Sequence, residues 1–230
     1  MIQSIAKKRN LSFVITSVFL ISIFLISRTS SWEGSIQLHT VMESIATLLA
    51  IIVGVLALTR FYAKPNEALF LLIGVGFLGT GVLDGYHTFV TSEHFYAIFP
   101  SPNESLIPWS WIASRLFLSV FMVFSYLNWK KNWNFSSNRA KLYWLSSVAT
   151  IGAFLFFAFV PLPQAYYSEL FFHRPEEFVP AIFFAIALYG FYTKGGWKEN
   201  SFEYWLVLSL IVNLIAQIFF MSFSGHLFDY

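Results

Sequence analysis

The stretch Phe70–Phe89, FLLIGVGFLGTGVLDGYHTF, decides how this chain must fold. It is apolar and long enough to cross a bilayer as a helix, the form in which a single segment satisfies its own backbone groups in hydrocarbon. Near its end it nevertheless carries Asp84 and His87. An ionisable side chain inside a membrane costs roughly 3 kcal/mol or more unless it faces protein, a water-filled cavity or a partner. Three residues apart, the two project from one helical face about a turn from each other. A complementary surface is therefore expected opposite that face.

The composition points the same way. With 57% hydrophobic and only 11% charged residues, the 230-residue chain is far more apolar than a soluble domain, and it reads as an all-α integral membrane protein. A net charge of +2, with cations spread over the loops, excludes nucleic acid as a partner. The chain has no cysteine, which excludes disulfides, thiolate metal sites and cysteine nucleophiles. Any metal must bind through histidine and carboxylate.

Seven apolar runs predict seven transmembrane helices in a single domain, residues 1–230. The first, Leu11–Ser27 behind Lys7-Lys8-Arg9, lacks a small-residue cleavage site and reads as an uncleaved anchor. The others fall at Gln37–Phe61, Asn66–Val90, Pro108–Asn128, Lys141–Val160, Phe178–Thr193 and Glu203–Ser222. All but the sixth reach the roughly 30 Å of hydrocarbon. With the amino terminus cytoplasmic, that side holds eleven Lys and Arg residues (Lys7, Lys8, Arg9, Arg60, Lys64, Lys130, Lys131, Arg139, Lys141, Lys194 and Lys198) against Arg28 and Arg174 outside. So strong a bias orients the bundle. The carboxyl terminus then falls outside, and an eighth helix is expected to follow. Two longer outer connections, Thr91–Ile107 and Pro161–Glu177, are rich in aromatic residues and are expected to lie over the outer ends of the helices, as a lid or flat at headgroup level.

This topology puts every histidine on the outer side: His39, His87, His94, His173 and His226. His39 and Glu43 stand four apart on helix two, echoing Asp84 and His87 on helix three, and Arg115 lies within helix four. Arg115 is expected to pair with Asp84 or Glu43, since an unpaired buried ion is costlier than a bonded pair. That leaves one carboxylate and two imidazoles. Histidine and carboxylate at such spacings on facing helices are how bundles build metal sites, and nitrogen and oxygen donors suit zinc, iron, manganese or oxidised copper. Haem through His39 or His87 is a further option, and a polar network that only fixes helix register is the plain alternative. Asn213 and Gln217 on helix seven read as packing contacts, with His226 beyond them as a secondary candidate. Gly74, Gly76, Gly79, Gly81 and Gly85 predict close approach of a neighbouring helix, with Gly54 as a counterpart.

The blocks LHTVMESIATLLAIIV (Leu38–Val53), GFLGTGVLDGYHTF (Gly76–Phe89) and WSWIASRLFLSVF (Trp109–Phe121) resemble, in that order, the membrane-associated sensor (MASE) domains of the third type. The resemblance spans helices two to four. It matches His39, Glu43, Asp84, His87, Trp111 and Arg115 to the pattern positions. What it implies is a bacterial inner-membrane input module that controls a cytoplasmic histidine kinase or diguanylate cyclase in cis; a metal or small ligand is expected at His39, Glu43, Asp84 and His87 from the residues themselves, and a homodimer is a further expectation. The chain itself is then not expected to be an enzyme, although its full-length parent is. The competing reading is a zinc-dependent seven-helix membrane hydrolase in which His39, His87, Asp84 and His226 activate water against a lipid amide or ester.

Overall fold

Each apolar run must close its backbone hydrogen bonds internally, so each becomes a helix. The computed structural model describes residues 2–28, 35–65, 67–91, 98–131 and 138–224. These residues form α1 (Ile2–Ser27), α2 (Ile36–Ala63), α3 (Ala68–Val90), α4 (Asn103–Lys131), α5 (Arg139–Phe159), α6 (Phe178–Lys194) and α7 (Ser201–Ile215), and no strand is present among them. A π-helical turn, Ala216–Met221, prolongs α7. Six of these helices are long and apolar enough to cross a membrane. The exception is α6, at 17 residues the short one expected from the sequence.

Local chemistry sets the ends. The Ser35 hydroxyl accepts from Leu38 N–H at 3.2 Å and starts α2. Asn200 does the same for Phe202 N–H at 2.8 Å at the head of α7. Gly195, at φ 77°, takes the left-handed conformation that ends α6. α4 begins at Asn103, five residues earlier than the run from Pro108 indicates, so the preceding connection is shorter than its sequence suggests. Glu104 in the first turn favours that start through the helix dipole, and Pro108 is carried within the helix. Of this connection, residues 92–97 lie outside the described residues, and His94 with them.

Neighbours run α1, α7, α6, α4, α3, α2 through the bundle, with α5 laid against α3 and α4. α3 and α4 form its centre: 67% of each span is buried, against 11% for α1 and 22% for α2. Small residues make this possible. A Cβ added at Gly74 would sit 3.1 Å from the Gly54 carbonyl oxygen and collide with Leu58, so α2 and α3 touch nearly backbone to backbone. A Cβ at Gly79 would strike the Phe117 ring of α4 and the Thr150 hydroxyl of α5.

Several of the cations meet at one end. Arg9 donates to the Trp197 carbonyl at 2.7 Å, Lys194 lies 2.7 Å from Glu203 and 5.4 Å over the Trp129 ring, and Arg60 pairs with Glu67 at 3.0 Å. Tyr62 and Tyr143 share a hydrogen bond at 2.9 Å, bringing the start of α5 to the same end. His39, His87 and Arg174 lie at the other.

Replacing Gly79 by Val is expected to destabilise the fold by about 1–3 kcal/mol through overpacking against Phe117. Gly152, with nothing near its Cβ direction, should tolerate Ala without loss. Thermal unfolding of the two variants in detergent distinguishes them.

Candidate functional site

Opposite the basic end, the polar faces of α2 and α3 turn toward each other. His39 lies in the first turn of α2, and Glu43, one turn deeper, is buried. Asp84 and His87 are each only 1% exposed. The Nε2 atoms of His39 and His87 are 3.4 Å apart, with their rings edge to face. His39, Glu43 and His87 each offer a donor atom within 4.8 Å of the other two.

α4 fixes the orientation of the inner imidazole. Ser110 Oγ lies 2.9 Å from the Ile107 carbonyl and 2.8 Å from His87 Nδ1; with the hydroxyl hydrogen on the carbonyl, the oxygen accepts from Nδ1–H. The Nε2 lone pair of His87 then points at His39. A ring anchored through one nitrogen, with the other facing a second imidazole, is an arrangement in which histidine serves as a metal ligand. Two imidazole nitrogens bound to one tetrahedral ion at roughly 2.0–2.1 Å would be about 3.4 Å apart, which matches the His39–His87 separation. Glu43 Oε2 is buried with no hydrogen-bond partner, as a carboxylate held ready for a cation would be.

Asp84 stands outside this trio. Its Oδ1 lies 3.9 Å from an Arg115 guanidinium nitrogen, an ion-pair distance longer than a hydrogen bond. Arg115 in turn lies 3.9 Å over the Trp111 ring, and that ring meets His87 edge to face. Asp84 Oδ1, Arg115 Nε and Trp111 Nε1 are buried without a hydrogen-bond partner. The arginine thus serves as counter-charge beside the imidazole pair.

A second polar cluster lies at the same end, drawn from residues the sequence reading placed apart: Arg174, Glu176 and Glu177 in the Pro161–Glu177 connection and Gln217 on helix seven. Arg174 and Glu177 pair directly, Glu176 lies 3.6 Å from Arg174, and Gln217 of the π-helical turn donates to Glu177 at 2.9 Å. Burial lifts the Glu177 carboxyl to about 7, with Arg174 pulling against it. Asn213 does not join Gln217; it donates to Ser209 of its own helix at 2.8 Å. His173 contributes its carbonyl to Tyr167 N–H at 2.8 Å, and His226 lies outside the described residues. Nothing in the sequence marks Ser110, because Ser114, Ser119 and Ser125 of α4 also bond back to their own helix. Arg174 and Glu177 do carry a signal, the three-residue spacing that pairs side chains on one turn.

The sequence matches the family model of MASE3, a membrane-associated sensor domain, over residues 30–226, which takes in α2 to α7. No curated protein matches the chain, and no solved structure does.

Arg115→Ala is expected to cost about 3–5 kcal/mol in stability, because it strands Asp84 in low dielectric, and Asp84→Asn in the same chain should recover much of it. Denaturant unfolding of the single and double variants tests this. A carboxyl whose pKa rises on folding stabilises the protein below its unfolded value, here 4.5, and that contribution fades as the pH climbs through about 7. The wild type should therefore lose stability relative to Glu177→Gln between about pH 5 and pH 8, measured as paired unfolding curves.

Proposed function

This chain belongs to the MASE3 family of membrane-associated sensor domains, and from that premise we propose that it senses a divalent transition metal held by His39, Glu43 and His87. The observation that carries the reading is the pair of Nε2 atoms 3.4 Å apart beside a buried carboxylate, on two different helices. Nitrogen and oxygen donors without sulfur suit zinc, oxidised copper or ferrous iron. Asp84 and Arg115 act as the charged surround that orients Trp111 and His87, not as ligands.

The bias of eleven cations to one end supports an amino terminus in the cytoplasm and a site in the outer leaflet of a bacterial inner membrane. Membership in a sensor family supports control of a cytoplasmic output domain in cis, a histidine kinase or a diguanylate cyclase, and weighs against a lipid hydrolase. An ion bridging α2 and α3 shifts their packing only by its difference in affinity for two arrangements. α2 is the most lipid-exposed of the site's three helices: its span is 22% buried, while α3 packs among α2, α4 and α5.

The test is metal content of protein purified without a histidine tag and equilibrated with Zn2+, Cu2+ or Fe2+. One ion per chain is expected, with binding abolished in His39→Ala and His87→Ala. Ser110→Ala, which frees the ring of His87, should weaken binding by about 10–100-fold without removing a ligand. A parent that binds none of the three ions overturns the reading and leaves His39 donating to His87 in a metal-free polar pocket.

A further inference from the structure

α5 packs on α3 along its middle, where Thr150 faces Gly79, and parts from α4 beside that seam. It is tied at one end by Tyr62–Tyr143 at 2.9 Å. At the other, the Phe154 ring meets Tyr86 at 4.9 Å, and Ser101 bonds to Val160 and Leu162 at 3.3 and 3.0 Å. Between these ties a cavity of about 530 Å³ opens, walled by Leu72 of α3, Ala113, Phe117 and Phe121 of α4, and Ala149 and Ala153 of α5. Ser146 is the one polar residue among the described residues of its wall. A smaller cavity of about 320 Å³ flanks the other side of α5 and shares Ser146.

We infer that the larger cavity seats an acyl chain of an anionic phospholipid, which enters sideways from the bilayer between α4 and α5. Protein interiors close-pack, and an open cleft of about 530 Å³ falls within the size range of ligand pockets. Water does not fill it, because an apolar cavity offers a water molecule too few polar partners. Hydrocarbon is the solvent at its mouth: Phe124 and Leu145 on the rim are 42% and 47% exposed. The absence of any charged residue from its described wall selects a chain rather than a headgroup. Arg115, the cation of α4 nearest in sequence, points away to Asp84.

The headgroup has a place at the basic end. The cavity reaches Leu142 in the first turn of α5, beside Arg139 and Lys141, while α4 ends in Lys130 and Lys131. Cations at headgroup level attract anionic lipid. The chain would also bear on the polar site, since Phe117 and Phe121 line the cavity and press against Gly79 and Gly76 of α3, the helix that carries His87.

The experiment uses phosphatidylglycerol with a diazirine on one acyl chain, reconstituted with the full chain in nanodiscs. After irradiation, adducts are mapped by mass spectrometry. They are expected to concentrate on the cavity residues of α4 and α5 and to fall at least about tenfold in Ala153→Trp and in Ala149→Trp, two independent ways of filling the space. Ile15→Trp, on the outward face of α1, should leave them unchanged. An equimolar phosphatidylcholine probe should label the cavity less than phosphatidylglycerol; equal labelling overturns the anionic preference. Adducts spread evenly over the outward faces of α1 and α2, and indifferent to either filling variant at unchanged unfolding temperature, overturn the site. Zero-length crosslinks joining α4 to α5 of a second copy would overturn it too, by giving the cavity to another protein chain.

Discussion

The cost of placing ionisable groups in hydrocarbon is the constraint on which this bundle depends. Glu43, Asp84, His87 and Arg115 cannot face lipid, so α2, α3 and α4 must present these faces to one another. Small residues let them do so. Gly54 and Gly74 bring α2 against α3 close enough for His39 to reach His87, and Gly76 and Gly79 admit the rings of Phe121 and Phe117 between α3 and α4. Ser110 completes the arrangement from α4, one hydroxyl bridging its own helix and the imidazole of the next. Polar convergence and glycine packing are thus two halves of one solution: the first sets which faces meet, the second how closely.

Much of this was legible in the sequence because hydrocarbon removes ambiguity. A run of about 20 apolar residues in a bilayer has few folds open to it, so helix positions follow from length, and the grouping of cations at one end follows from their placement in the short connections. The three- and four-residue spacings of His39 with Glu43 and of Asp84 with His87 say which side chains share a face. Spacing does not say which of those chains end up in contact across two helices. That depends on the rotation of α2 against α3, which places Glu43 with the histidines and leaves Asp84 beside Arg115.

Where the reading fell short, a local signal competed with a tertiary one. Pro100, Pro102 and Asn103 look like turn residues and Pro108 like a first helical residue, yet Asn103 and Glu104 open α4 and Pro108 is absorbed within it. Glu177 closes the Pro161–Glu177 connection, read from the sequence as a lid or a headgroup-level segment. It is fully buried, paired with Arg174 and held by Gln217 from the end of α7. Asn213 and Gln217 are four apart and share a face on a regular helix. The π-helical turn that begins at Ala216 resets the angular register, so Gln217 reaches Glu177 while Asn213 bonds within its own helix.

That π-helical turn gives the second polar cluster a meaning the first lacks. Its hydrogen bonds run five residues apart, a geometry less favourable than the α-helix and found where something outside the helix holds it in place. Here Gln217 is held by Glu177, and the Ser222 carbonyl accepts from Arg174 N–H at 3.1 Å, so the connection ahead of α6 fixes the turn from both sides. α6 packs on α4, the helix that carries Ser110 and Arg115. A path of direct contacts therefore runs from the imidazoles, through α4 and α6, to the end of α7, without passing through the lipid-facing helices. α2 stands at the opposite edge, and among the described residues it joins this path through its long seam with α3 and the His39–His87 contact. A ligand that tightens that contact draws the most lipid-exposed of the site's helices against one of its two most buried, along the seam where Gly54 and Gly74 already bring them together.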